Sequence, residues 1–141
     1  MATLGFIGYI PYAPGTFGSI PSFLLIMFLM PTDLEVLMIF LPVFLLGLIT
    51  SHSAEKDLGK DSGRIVIDEF CGYLLAVIFI PKKTGYLLAS FVLFRVFDIL
   101  KPPPIRKIEN FVAGGAGIML DDILAAVYTN VCIQLWRLFV N

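Results

Sequence analysis

The sequence predicts an all-α, polytopic membrane helix bundle of about five helices, the first one short, with its polar residues gathered at the cytoplasmic helix ends. Three observations predict it. Hydrophobic residues are 58% of the 141 and charged ones 15%, with a mean hydropathy of +0.91, which lies outside the range of ordinary soluble domains. Apolar runs of helical length recur along the chain, broken by short polar or proline-containing links. The charged side chains are crowded into a few of those links and the helix ends beside them. A length of 141 residues implies one domain, 1–141,. The net charge of −1 offers no basic footprint for nucleic acid,. Cys71 and Cys132 sit in apolar runs, where packing rather than a disulfide is expected,.

Taken in order, Met1 to Ser19 holds Gly5, Gly8, Pro11, Pro14, Gly15 and Gly18 and reads as a loop or interfacial segment,. No charged side chain occurs before Asp33, so the basic start of a signal peptide is missing and none is expected,. Ile20 to Met30 is the short first helix, with a start near Thr16; a full span needs about 20 residues. Thr16 and Ser19 at its beginning are suited to capping or, with free backbone N–H groups, to holding phosphate. Val36 to Ala54 is an uncharged second helix containing Pro42, followed by the polar loop Glu55 to Arg64. Ile65 to Ile80 is the third, opening on Asp68 and Glu69, and Pro81 to Thr84 turns the chain back. Gly85 to Leu100 is the fourth, ended by Pro102. Pro102, Pro103 and Pro104 suggest an extended strut, Gly114 to Gly117 a turn, and Ile118 to about Val140 the last helix, with Asn130, Gln134 and Arg137 at its far interface.

Alternating sides through these segments puts the starts of the first, third and fifth helices and the end of the fourth on one face. Lys56, Lys60, Arg64, Lys101, Arg106 and Lys107 fall there too, against Lys82, Lys83 and Arg137 opposite, which makes that face cytoplasmic by the positive-inside rule,. Lys82 and Lys83 read as headgroup anchors. The carboxylates collect on the cytoplasmic face: Asp68, Glu69, Asp98, Asp121 and Asp122. Acids in a first helical turn are also favoured by the helix dipole, by about 0.3 to 1 kcal/mol each. Two such pairs plus Asp98, with Arg95, Lys101 and Arg106 beside them, exceed what that accounts for.

Converging carboxylates repel unless a cation intervenes. Oxygen-only ligands favour a hard ion such as Mg2+, whose shell is completed by water and substrate phosphate. Zinc is disfavoured, because His52 is the only histidine,. Cations beside such a centre suit a phosphate monoester. Covalent routes lack their residues: no cysteine-phosphatase loop follows Cys71, no Asp-x-Asp motif occurs, and His52 reads as a packing residue,. Attack by metal-activated water remains.

Four ordered stretches now carry a resemblance: PGTFGS from Pro14 to Ser19, KDSGRIVIDEFCG from Lys60 to Gly72, FRVFDILKPPPIR from Phe94 to Arg106, and GGAGIMLDDILAA from Gly114 to Ala126. Together they resemble the phosphatidylglycerophosphatase A family. The resemblance implies a Mg2+-dependent phosphatase that converts phosphatidylglycerophosphate to phosphatidylglycerol at the cytoplasmic leaflet of the bacterial inner membrane. Matched to it, the motif acids are Asp61, Asp68, Glu69, Asp98, Asp121 and Asp122 and the motif cations Arg95, Lys101 and Arg106; our own assignment of roles makes Asp68, Glu69, Asp121 and Asp122 the expected metal ligands. Asp61 or Asp98 is expected to position water or protonate the leaving oxygen, and Thr16, Ser19, Arg95, Lys101 and Arg106 to hold phosphate. Pro103 and Ala116 depart from the family pattern and leave the charged positions intact. The partners implied are the lipid substrate and the bilayer, with a homo-oligomer left open.

Two other readings compete. A non-enzymatic cation carrier or small interaction protein predicts acids spread through the depth of the bilayer, whereas these gather at one end. A CDP-alcohol phosphotransferase predicts a spaced series of acids along helices that does not occur here.

Overall fold

The computed structural model describes residues 14–58, 66–112 and 114–140. Among them are six α-helices: α1 (Pro14–Leu29), α2 (Asp33–Leu58), α3 (Ile67–Ala76), α4 (Thr84–Leu100), α5 (Ile105–Phe111) and α6 (Gly115–Val140). The expected all-α bundle is borne out, with α5 added to the five. Two helices contain stretches long and apolar enough to cross a membrane, Asp33–Ser51 and Ala116–Val140. Large apolar side chains such as Phe28, Ile49 and Phe139 stand exposed on the outside. That is the surface a bilayer solvates and water does not.

α3 is the hub. It touches α1, α2, α4 and α6, and Ile67, Asp68, Cys71, Gly72, Tyr73, Leu74 and Ala76 are all buried on it. Its aromatic contacts explain why: Tyr73 lies within ring contact of Phe23, Phe91 and Phe94 from α1 and α4, and its hydroxyl donates to the Leu87 carbonyl oxygen at 2.9 Å. Gly72 lets Phe94 lie against the α3 backbone, since a Cβ there would stand 2.6 Å from the ring. Cys71 and Cys132 are unpaired, as expected.

Several boundaries differ from the sequence reading for identifiable reasons. The breaker-rich stretch through Ser19 is not wholly a loop, because α1 begins at Pro14; proline is favoured in a first turn, where its missing N–H costs nothing,. α2 starts at Asp33 because Thr32 and Glu35 form a reciprocal capping box: Thr32 N–H and Oγ1 donate to Glu35 Oε2 at 2.7 and 3.0 Å, and Glu35 N–H donates to Thr32 Oγ1 at 3.3 Å,. The helix then runs on to Leu58, taking in residues expected in the following loop.

The triple proline is a turn, not an extended strut. Ile105 N–H donates to the Pro102 carbonyl and Lys107 N–H to that of Pro104, both at 2.9 Å, and α5 follows directly. The fixed φ of proline suits a helix start as well as an extended strut. Ile105 is fully buried and anchors α5, while Tyr128 donates its hydroxyl to Pro103 O at 2.9 Å. Of the expected glycine turn, only Gly114 has positive φ, at 79°, and Gly115 to Gly117 already belong to α6.

α3 has 10 residues, about 15 Å of helix, and stops short of the predicted Ile80. Backbone groups that leave a helix at membrane depth must find partners in the protein. They do. Asn130 Nδ2 donates to the Ala76 and Ile78 carbonyls at 3.0 and 2.6 Å, and Gln134 and Arg137 donate to that of Phe79. Lys82, expected as a headgroup anchor, is instead tied inward: it pairs with Asp33 at 2.8 Å and donates to the Val77 and Ile80 carbonyls.

Candidate active site

The N-terminal ends of α1, α3 and α6 and the C-terminal end of α4 meet at one end of the bundle. Arg95, Asp98 and Lys101 repeat every three residues, which puts them along one face of α4. Arg95 pairs with Asp98 within that face. Lys101 ends the helix in the left-handed conformation, φ 44°, and its Nζ reaches Asp121 Oδ2 on α6 at 2.7 Å. Asp121 Oδ1 accepts the Asp122 N–H at 2.9 Å.

The five expected acids with described positions come together. Oxygens of Asp68, Glu69 and Asp122 lie within 4.8 Å of one another, and so do oxygens of Asp98, Asp121 and Asp122. Asp68, Asp121 and Asp122 are 8%, 6% and 1% exposed. Asp68 Oδ1, Glu69 Oε2 and both oxygens of Asp122 are buried without a hydrogen-bond partner among the described residues. Buried carboxylate oxygens are costly in that state. Val66 N-caps α3 without any side-chain hydrogen bond, so Asp68 and Glu69 gather with Asp122 rather than closing their own helix end. Helix-dipole placement alone therefore does not explain them. An all-carboxylate donor set with orphaned oxygens fits a hard divalent cation.

The first turn of α1 closes over this cluster. A Cβ on Gly15 would stand 2.5 Å from Glu69 Oε1 and 2.7 Å from Arg95 Nη2, and one on Gly18 would stand 2.7 Å from the Val66 side chain. At Gly18, against the Val66 Cβ and carbonyl, only glycine allows this approach; at Gly15 a Cβ would push the ends of the Glu69 and Arg95 side chains off their positions. From the sequence, Gly15 and Gly18 read only as helix breakers; two glycines three apart at the head of an apolar helix were the available signal of close approach. Thr16 is half-buried in the same turn. Ser19 is fully buried and its Oγ donates to Gly15 O at 3.0 Å, so that hydroxyl braces α1. Arg106 is exposed on α5. Asp61 and the His52 side chain lie outside the described residues.

Comparison with known proteins agrees with this geometry. The family described as Phosphatidylglycerophosphatase A matches residues 1–137, which include every residue of the cluster. A phosphatidylglycerophosphatase A of Haemophilus influenzae is 41% identical over 138 residues, covering 93% of this chain and 85% of the relative. One of Escherichia coli K12 is 40% identical over 124 residues, covering 85% and 72%. A putative phosphatidylinositol-3-phosphatase of Bacteroides thetaiotaomicron is 35% identical over 142 residues, covering 92% and 87%. No solved structure matches. With the match spanning both acidic pairs and the cations between them, the chain belongs to the phosphatidylglycerophosphatase A family and is a phosphatase.

Proposed function

We propose that the chain hydrolyses phosphatidylglycerophosphate to phosphatidylglycerol and inorganic phosphate, using Mg2+, with its active end at the cytoplasmic face of a bacterial inner membrane and residues 1–141 acting as one membrane-embedded domain. The observation that carries this reading is the set of orphaned, buried oxygens on Asp68, Glu69 and Asp122, set beside Arg95 and Lys101 at a single end of the bundle. A carrier would need acids along the conduction path, and these do not extend below the helix-end layer.

Asp68, Glu69, Asp121 and Asp122 would hold the cation, which when bound supplies Lewis acidity to the phosphoryl oxygens and lowers the pKa of water. The chain's own residues do the rest. Arg95 is fixed by Asp98 in a largely dry layer, where its guanidinium attracts an incoming phosphate more strongly than it would in water. Lys101 lies at the helix end with its ammonium over Asp121 and adds a second positive charge to the phosphate's approach. Thr16 borders the same turn of α1, and Arg106, exposed on α5, can meet a headgroup from outside. Asp98 or Asp61 would orient the attacking water or return a proton to the glycerol oxygen.

The name of the Bacteroides relative favours a second reading, a phosphate monoester on an inositol headgroup. Purified protein in mixed micelles should release phosphate from phosphatidylglycerophosphate with a kcat/KM at least about tenfold above that for phosphatidylinositol 3-phosphate, a preference of roughly 1.4 kcal/mol. The reverse order would make the inositol lipid the substrate.

A further inference from the structure

The five acids fall into two triplets, and Asp122 belongs to both. It is also the most buried of them, 1% exposed, and neither of its oxygens has a hydrogen-bond partner among the described residues. A carboxylate shared by two neighbouring acid pairs, with both oxygens free of hydrogen bonds among the described residues, has the form of a bridge. Resting on the metal-dependent reading above, we propose that Asp122 bridges two divalent-cation positions, one bounded by Asp68 and Glu69 and the other by Asp98 and Asp121.

Charge supports two positions over one. Among the described residues, five carboxylates face two cations, Arg95 and Lys101, within this layer. Three formal negative charges remain. One divalent ion leaves the layer still negative and repels a phosphate, whereas two turn it positive and admit one. Each triplet spans at most 4.8 Å, which a side-chain shift of about half an ångström brings within the reach of oxygen ligands at about 2.1 Å from a hard cation.

The two positions are not equivalent. Asp98 and Asp121 are already engaged, by Arg95 and by Lys101 at 2.7 Å. Asp68 and Glu69 hold no ion pair among the described residues, and each keeps an orphaned oxygen. The Asp68 and Glu69 position therefore fills first. The second ion competes with Lys101 for Asp121, and filling it releases that ammonium toward the phosphate. Asp98 thereby becomes a metal ligand rather than a general acid.

Mn2+ prefers the same octahedral oxygen shell as Mg2+ and is visible by electron paramagnetic resonance. The full chain, purified in detergent, stripped with chelator and titrated with Mn2+, should bind two ions per chain, the first about tenfold tighter than the second or better. At saturation the spectrum should be that of an exchange-coupled pair. Asp98→Asn should leave one ion and the sextet of an isolated Mn2+. Lys101→Met should tighten the second ion, which a merely structural role for Lys101 would not do. Saturation of the folded wild type at one ion, or two ions without coupling, overturns the bridge and leaves the metal-dependent phosphatase standing. No binding at all by folded protein overturns the metal reading along with it.

Discussion

At the residue scale, the site depends on small differences in what each carboxylate touches. Asp121 has a lysine and a backbone N–H on its oxygens, while Asp122, next in sequence, has neither. That contrast could not be read from the pair of letters. The acids themselves could be: five of the six expected positions are described, and all five lie in one layer. The glycines could not be ranked beside them, because a glycine matters here only through what its absent Cβ would strike. Gly15→Ala should therefore lower kcat by about 10- to 100-fold, the cost of misplacing catalytic groups by an ångström or so. Its melting temperature should stay within a few degrees of the parent. A kinetically silent Gly15→Ala, measured by phosphate release, would show that α1 does not set the positions of Glu69 and Arg95. Lys101→Met should raise KM for the phosphate monoester by about tenfold or more, and Lys101→Arg should recover part of it; steady-state kinetics on both variants checks this.

At the scale of elements, helix ends carry the account. Long apolar runs made α2, α4 and α6 legible from hydropathy alone. Their boundaries were set by features that hydropathy does not weigh: the Thr32 and Glu35 capping box, the proline turn that launches α5, and the glycine stretch that α6 absorbs. The early stop of α3 was the least legible, since Val77 to Ile80 is as apolar as the helix before it. It is decided by partners 46 or more residues away, namely Asp33, Asn130, Gln134 and Arg137, which take up the released backbone groups. Asn130→Leu strips donors from two carbonyls and should destabilise the fold by about 1 to 3 kcal/mol. Specific activity of the surviving folded fraction at low temperature should be unchanged, because this network sits at the end of α3 away from the acids. Thermal unfolding in detergent, read beside initial rates, separates the two effects. Glu35→Ala should cost about 1 kcal/mol by loss of half the capping box, again without loss of turnover.

Over the whole molecule, the chain divides its duties between two ends. One end satisfies its polar groups internally apart from Arg137 Nε: Lys82 and Asp33 neutralise each other, and the amides of Asn130 and Gln134 cover the end of the short hub helix. The other end leaves buried carboxylate oxygens without partners, an expense that folding alone gives no reason to keep. Between them stands an aromatic and aliphatic core centred on Tyr73 and Phe94, with apolar side chains outside. This polarity was visible in the sequence as acids gathered at alternate helix ends, and the cation chemistry followed from their all-oxygen composition. The central claim is that the unsatisfied end is a metal-dependent phosphomonoesterase. Its most direct test is phosphate release from phosphatidylglycerophosphate by the purified protein with Mg2+ and with EDTA, alongside Asp122→Asn. Turnover with Mg2+ should be abolished by EDTA and restored by added Mg2+, and the variant should lose at least about a hundredfold. Undiminished turnover in EDTA, or a folded Asp122→Asn protein as active as the parent, would contradict it.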